Sequence, residues 1–230
     1  MKKVDIIRIE KDQRKPMQDM ITSEITIRME INSETKILLP CSGRNIKELI
    51  TGYLFTNGLI DTLVDIRSLD YDLQSHTATI SINPEKKMLN GFRWNADLRL
   101  PAQRVIDLVD EFSNLSDRFR KTGGVHTAAV ATKKGIIKHF DDISRHNTLD
   151  TIIGWSMLNN EPFEDKCLLV TSRIPRKIIE KAVRAGFPMM VSVSPPTDQA
   201  LAIARDNRIA LAGFVRGERM NIYNREECFT

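Results

Sequence analysis

The sequence predicts an α/β protein: a mixed, mostly parallel sheet covered by helices on both faces, preceded by a smaller strand-rich part. Three observations carry this reading. After residue 122, apolar runs of about six residues alternate with helical stretches of roughly 9–14, the pattern of strands joined by crossover helices. Before residue 83, the apolar residues recur mainly with the period of two of half-buried strands. The chain has 230 residues, 41% hydrophobic and 28% charged, which is enough to bury a core and leaves no room for a disordered, collagenous or low-complexity class.

Residues 1–40 read as strands, with Ile25, Ile27, Met29 and Ile31 alternating with Thr26, Arg28 and Glu30. Pro40-Cys41-Ser42-Gly43 breaks the alternation. Ile46, Leu49, Ile50, Tyr53 and Leu54 then recur at helical spacing until Asn57-Gly58 supplies a stop. Two more strands are expected over 64–73 and 77–82. From Pro84 to Pro101 the periodicity fades, and Asn90-Gly91 marks a turn. The expected division is an N-terminal α+β subdomain over 1–85, a linker over 86–101 and a main domain over 102–230.

The main domain opens on an amphipathic helix over 102–112, with Val105, Ile106, Leu108, Val109 and Phe112 on one side. Strands over 125–131 and 136–140 flank the turn Lys133-Lys134-Gly135. A helix over 145–158, a strand over 167–171, a helix over 176–185, a strand over 188–193, a helix over 198–206 and a strand over 209–215 complete the series. Strand–helix–strand units of this length imply right-handed crossovers, while the opening hairpin makes the sheet mixed.

No apolar run approaches the ~20 residues of a membrane span, and Met1-Lys2-Lys3-Val4-Asp5 leads into mixed charge, so neither a membrane segment nor a secretory signal is expected. Cys41, Cys167 and Cys228 are odd in number and far apart, which fits a reducing cytoplasm rather than a disulfide framework or a metal site. The net charge of +4 resides in residues 171–230, where ten Lys/Arg face six Asp/Glu and eight of the ten are arginines. That excess is too small for a nucleic-acid surface and suits a small anionic ligand, because guanidinium forks match phosphate and carboxylate.

In sheets of this kind ligands collect at the carboxyl ends of the strands. Five polar or glycine-bearing clusters fall there: Thr122-Gly123-Gly124-Val125-His126; 141–147, with Asp142, Arg145, His146 and Asn147; Thr171-Ser172-Arg173; 192–197, with Ser194 and Thr197; and Phe214-Val215-Arg216-Gly217-Glu218-Arg219. Gly123 and Gly124 let backbone amides approach a ligand, although a tight turn explains a glycine pair equally well. Asp142 stands four residues before His146 and could orient its imidazole or cap a helix. Ser172, Thr197 and Asp198 are further cap candidates. Arg216 and Arg219 around Gly217 form a candidate phosphate clamp. P-loop, dinucleotide, nucleophile-elbow and zinc-deaminase motifs do not occur.

In order along the chain, several stretches resemble the formate dehydrogenase accessory protein family (FdhD). They are Glu48-Leu49-Ile50-Thr51-Gly52-Tyr53-Leu54 with Asn57-Gly58, then Thr122 to Ala129, Arg145-His146-Asn147 with Asp150 and Gly154, Lys181 to Pro188, Ser194 to Thr197, and Gly213 to Arg219 with Asn221 and Tyr223. The resemblance implies a three-layer α/β/α domain of cytidine deaminase-like fold, a homodimer, and a part in sulfurating the bis-molybdopterin guanine dinucleotide cofactor. A cysteine desulfurase would be the donor and formate dehydrogenase the recipient. It also implies that Phe214 to Arg219 form the core of a cofactor site. With Gly123, Gly124, His126, Arg145, His146, Asn147, Ser172, Arg173, Ser194 and Thr197, that stretch makes up the expected site, and guanosine diphosphate is the corresponding fragment ligand.

The family carries its persulfide on a Cys-x-x-Cys that precedes the Thr-Gly-Gly. Here that interval reads Asn90-Gly91-Phe92-Arg93-Trp94-Asn95-Ala96-Asp97-Leu98, with no cysteine. Covalent sulfur transfer is thereby left without its usual nucleophile. Of the substitutes, Cys41, expected in a loop, stands ahead of Cys167 in a strand and Cys228 on a loose tail. Two other readings are a cofactor-binding chaperone without covalent chemistry, and an enzyme using His126, Asp142 and His146 for acid–base work.

Overall fold

A computed structural model describes residues 1–83 and 98–230. The turn expected at Asn90-Gly91 and most of the expected linker therefore lie outside the described residues. The chain opens with an antiparallel hairpin, β1 (Lys2–Glu10) and β2 (Gln13–Ile21). Next comes a four-stranded sheet, β3 (Ile25–Ile31), β4 (Thr35–Cys41), β5 (Ile66–Asp72) and β6 (Thr77–Ile82), in the order β4-β3-β6-β5. Helix α1 (Ile46–Thr56) leaves β4 and ends at Asn57, whose amide donates to the Tyr53 carbonyl. The alternation read from the sequence is observed in β3: Ile27, Met29 and Ile31 are buried, while Thr26 and Arg28 are exposed.

The second half contains α2 (Ala102–Ser113), α3 (Asp117–Thr122), β7 (His126–Thr132), β8 (Gly135–Asp142), α4 (Arg145–Asn159), β9 (Cys167–Val170), α5 (Arg176–Ala185), β10 (Met189–Ser192), α6 (Asp198–Asp206), β11 (Ala210–Arg216) and β12 (Arg219–Asn224). The six strands form one sheet in the order β12-β11-β10-β9-β7-β8. Only the β9–β10 and β10–β11 joins are parallel; the other three are antiparallel, so the sheet is mixed but not mostly parallel. The reason lies in the connections. Each helical crossover returns the chain in the same direction, whereas the tight turns before Gly135 and at Gly217 reverse it. The β12 return strand was not anticipated, because 216–219 reads as an open loop in the sequence.

Residues along the central strands face alternate sides. Ala128, Val130, Leu168, Val170, Met190 and Leu211 pack into one buried core with α1, α4, α5, α6 and the four-stranded sheet. Ala129, Ala131, Cys167, Leu169, Met189, Val191, Ala210 and Ala212 pack into a second core with Val105, Leu108, Val109 and Phe112 of α2 and with Cys228 and Phe229. The six-stranded sheet is thus the middle layer of an α/β/α sandwich, and α4, covered by the sheet on one side and α1 on the other, is buried around most of its circumference. Helices α1 and α4 meet through Gly52 and Gly154, where a Cβ on either would overlap the carbonyl oxygen of Asp150 or Glu48. Cys228 is not on a loose tail: the amide of Leu100 donates to its carbonyl, and Leu100 and Phe229 form a parallel bridge. Among the described residues no helix is long and apolar enough to cross a membrane.

Candidate functional site

A cavity of about 740 Å³ opens at the carboxyl ends of β8, β9, β10 and β11 and beside the start of β7. Every one of the five sequence clusters contributes to its wall: Gly123, Gly124, Val125 and His126; Ile143; Thr171; Val193 and Ser194, which follow β10; and Val215, Arg216 and Gly217. The opposite wall is one face of α2, where Ile106, Val109, Asp110 and Ser113 recur at helical spacing, continued by Phe112, Ser116 and Phe119. Asp110 and Phe119 were missed in the sequence. Their only signals are a carboxylate on the border of an amphipathic helix and an aromatic ring within the polar run 116–121.

The glycine wall is built by α3. The Ser116 side chain caps this short helix by accepting from the Phe119 amide, and Gly123 ends it in the left-handed region at φ +61, its amide donating to the Phe119 carbonyl. The Gly124 amide donates to Thr122 Oγ1 at 3.1 Å, and a Cβ at Gly124 would lie 2.9 Å from Thr22 Oγ1, so this position admits no side chain without a shift. On the strand side, Ser194 Oγ donates to the Thr171 carbonyl and Ser194 N to Ser192 Oγ, which binds the ends of β9 and β10 together. Gly213 approaches the same loop, where a Cβ would lie 2.8 Å from the Ser194 carbonyl oxygen.

Arg216 is exposed on the cavity wall, and its Nε donates to the Val193 carbonyl at 2.9 Å. It is the direct cross-strand partner of Arg219 over the Gly217-Glu218 turn, with Gly217 at φ +56. Like charges opposite each other oppose the pairing, a cost that a bound anion would relieve. Arg219, Glu218 and Phe214 belong to this hairpin but are not in the cavity wall.

Beneath the cavity lies a buried polar network. Asp141 accepts from Ser116 Oγ at 2.8 Å and Thr127 Oγ1 at 2.7 Å. Asp142 accepts from Ser42 N and Oγ, Ser144 N and Asn147 Nδ2, all within 3.0 Å. The Asp142 carboxylate is therefore filled by the loop before α1 and the start of α4, and it does not orient His146. Arg118, 6% exposed, donates through Nη1 to Ser42 Oγ, while its Nε and that of Arg145 are buried without hydrogen-bond partners. Burial, then the Arg145 charge, holds His126 below its ordinary value, so its ring is neutral at pH 7.

The remaining expected site residues lie apart from the main cavity. His146 and Asn147 line a second cavity of about 380 Å³ with Tyr53, Asp150, Lys177 and Lys181, and Ile143 is common to both cavities. Burial and the surrounding charges of Lys181, Arg145 and Lys177 push His146 down to about 4. Ser172 is buried and donates to the Arg173 carbonyl, and Arg173 is exposed. Thr197 caps α6 by accepting from Ala200 N at 3.3 Å, whereas α5 begins after Pro175, so Ser172 caps no helix.

Comparison with known sequences gives this geometry a context. The sequence model of the FdhD/NarQ family matches residues 76–230. The chain belongs to this family. Proteins named sulfur carrier protein FdhD cover nearly its whole length: one from Halalkalibacterium halodurans is 30% identical, spanning 90% of this chain and 87% of that protein, and one from Listeria innocua is 27% identical over 93% of each. A crystal structure from Desulfotalea psychrophila, of a protein provisionally described as a formate dehydrogenase accessory protein, superimposes with a TM-score of 0.87 at 23% identity. It covers 99% of this chain and 98% of that one, so the two share their fold.

Within an FdhD/NarQ fold the thiols are of particular interest. Cys41 is not in a loop but ends β4, fully buried, its Sγ accepting from the Gly43 amide at 3.4 Å. Burial pushes its thiol up to about 11. Cys167 in β9 is pushed up further by complete burial, and Cys228 is buried under α2. None of the three lines either cavity. Of the interval 90–98, which holds no cysteine, residues 90–97 lie outside the described residues.

Proposed function

We propose that this chain is a formate dehydrogenase accessory protein that holds the guanosine diphosphate end of a bis-molybdopterin guanine dinucleotide cofactor, and that it carries no sulfur on a thiol of its own. The observation behind this reading is that one cavity at the sheet's carboxyl edge draws at least one wall residue from each of the five clusters, Arg216 and Ser194 among them. Its volume falls within the ~300–1,000 Å³ of small-ligand sites and suits one nucleotide unit of a larger cofactor. The chemistry fits an anion: Arg216 stands in the wall with its guanidinium exposed, Ser113 and Ser194 offer hydroxyls, and Gly123, Gly124 and Gly217 keep the wall clear of side chains. The cofactor supplies the redox and dithiolene chemistry; the residues of this chain bind and orient its nucleotide.

The absence of a persulfide on this chain is supported by the thiols. A sulfur carrier needs an accessible thiolate, and Cys41, Cys167 and Cys228 are buried away from the cavity. Acid–base catalysis by His126, Asp142 and His146 is disfavoured, because these side chains serve different surroundings and Asp142 is consumed by Ser42, Ser144 and Asn147.

Titration calorimetry with guanosine diphosphate tests the binding. Affinity should weaken as salt rises, and Arg216→Ala should lower it by ~10–100-fold, the range for one charge-assisted hydrogen bond. An unchanged affinity would remove Arg216 from the site. Incubation with a cysteine desulfurase and cysteine, read by intact mass, tests the sulfur. Gain of one sulfur atom on the protein would overturn the second half of the proposal.

A further inference from the structure

We infer that Asp110 is the specificity residue of this cavity and reads the Watson–Crick edge of guanine; this deepens the nucleotide-binding reading and rests on it. Asp110 is the one acidic side chain among the described residues lining the cavity. Its carboxylate forms no hydrogen bond or ion pair there, unlike Asp107 one turn earlier, which accepts from Gln103 Nε2 at 3.0 Å. It stands exposed on the α2 face between Ile106 and Ser113, in the same wall as the half-exposed Phe119, with Val109 and Phe112 almost fully buried behind. A site for a nucleoside diphosphate needs two chemistries: donors for the phosphates and a flat apolar surface with a polar reader for the base. Arg216, over a wall kept open by Gly123, Gly124 and Gly217, supplies the first, and α2 with α3 supplies the second.

The sign of the charge selects the base. A carboxylate offers two acceptors side by side. Guanine presents two donors there, N1–H and the 2-amino group, and so can bind both oxygens. Adenine presents an unprotonated N1 to the same position and leaves a carboxylate oxygen facing a lone pair. The phosphates are repelled by the same charge, which orients the ligand with its anionic end toward Arg216.

Calorimetry with the full chain and four diphosphates tests this assignment. Guanosine diphosphate should bind ~10–100-fold more tightly than adenosine diphosphate, with inosine diphosphate, which lacks the 2-amino donor, in between. Asp110→Asn should reverse part of this order. Its amide can donate to the 2-carbonyl of xanthine while its oxygen accepts from N1–H, so xanthosine diphosphate should gain affinity as guanosine diphosphate loses it. That gain separates a reader of the base from a residue whose loss merely weakens the fold. Asp107→Asn should leave the ratios unchanged. Equal binding of guanosine and adenosine diphosphates, or ratios that do not move in Asp110→Asn, would overturn the assignment; if Arg216→Ala still weakened both ligands, the nucleotide site itself would stand. Failure of every diphosphate to bind would overturn the nucleotide reading and the Asp110 assignment together.

Discussion

Replacing Lys181 by methionine should destabilise the protein far more than its position on a helix surface suggests. Lys181 Nζ donates to both carboxylate oxygens of Asp150 at 2.6 Å, and Thr56 Oγ1 donates to Oδ1 at 2.7 Å. The side chains are 10% and 1% exposed, so this ion pair sits where α1, α4 and α5 meet. Methionine retains the packing of the lysine stem but leaves Asp150 with a single neutral donor. Breaking a buried pair from one side costs about 3–5 kcal/mol, most of it the penalty of an uncompensated buried charge. The double variant Lys181→Met with Asp150→Asn removes that charge and keeps an acceptor for Thr56, so it should recover to within about 1.5 kcal/mol of the parent. Urea unfolding at pH 7, extrapolated linearly to water, measures all three proteins. A single variant within about 1 kcal/mol of the parent, or a double variant no better than the single, would refute the reasoning.

Other consequences are equally direct. Gly52→Ala forces a methyl group against the Asp150 carbonyl, so α1 and α4 must separate; a loss of about 3 kcal/mol, the upper end for overpacking, is expected in the same urea assay, and an unchanged midpoint would contradict the close approach. The folded value of His146, about 4, lies below the 6.5 of an unfolded chain, so its contribution to stability is complete above pH ~6.5 and is lost as pH falls toward 4. Thermal melting from pH 7 to 4.5 should therefore fall less steeply in His146→Gln than in the parent, and equal slopes would exclude the effect. A thiol reagent such as dithionitrobenzoate should label the native protein slowly and all three cysteines rapidly in denaturant, because Cys41, Cys167 and Cys228 are buried. Rapid stoichiometric labelling of one cysteine in the native state would reopen that residue as a sulfur acceptor.

Much of the architecture is carried by local pattern. Helices α5 and α6 and strand β6 occupy the residues expected from periodicity alone, since a 3.6- or 2-residue repeat, a proline or threonine at the start and a glycine or asparagine at the end are encoded within a few positions. The five clusters could likewise be placed at one edge of the sheet, because strand direction fixes which loops share that edge. What only the tertiary structure decided depends on residues distant in sequence. The pairing of β11 with β12 turns an expected loop into a hairpin and sets Arg216 opposite Arg219. The α4–α1 junction draws His146 and Asn147 into a separate cavity, and Cys228 is buried by α2 rather than left on a tail. Asp110 and Phe119 join the site because the α2–α3 segment folds over the strand ends, and no periodicity within that segment identifies the surface it will face. Periodicity reports which side of an element is apolar; which polar side chains share a cavity is set by packing between elements, and there the physics is that of burial, charge and close contact across the whole chain.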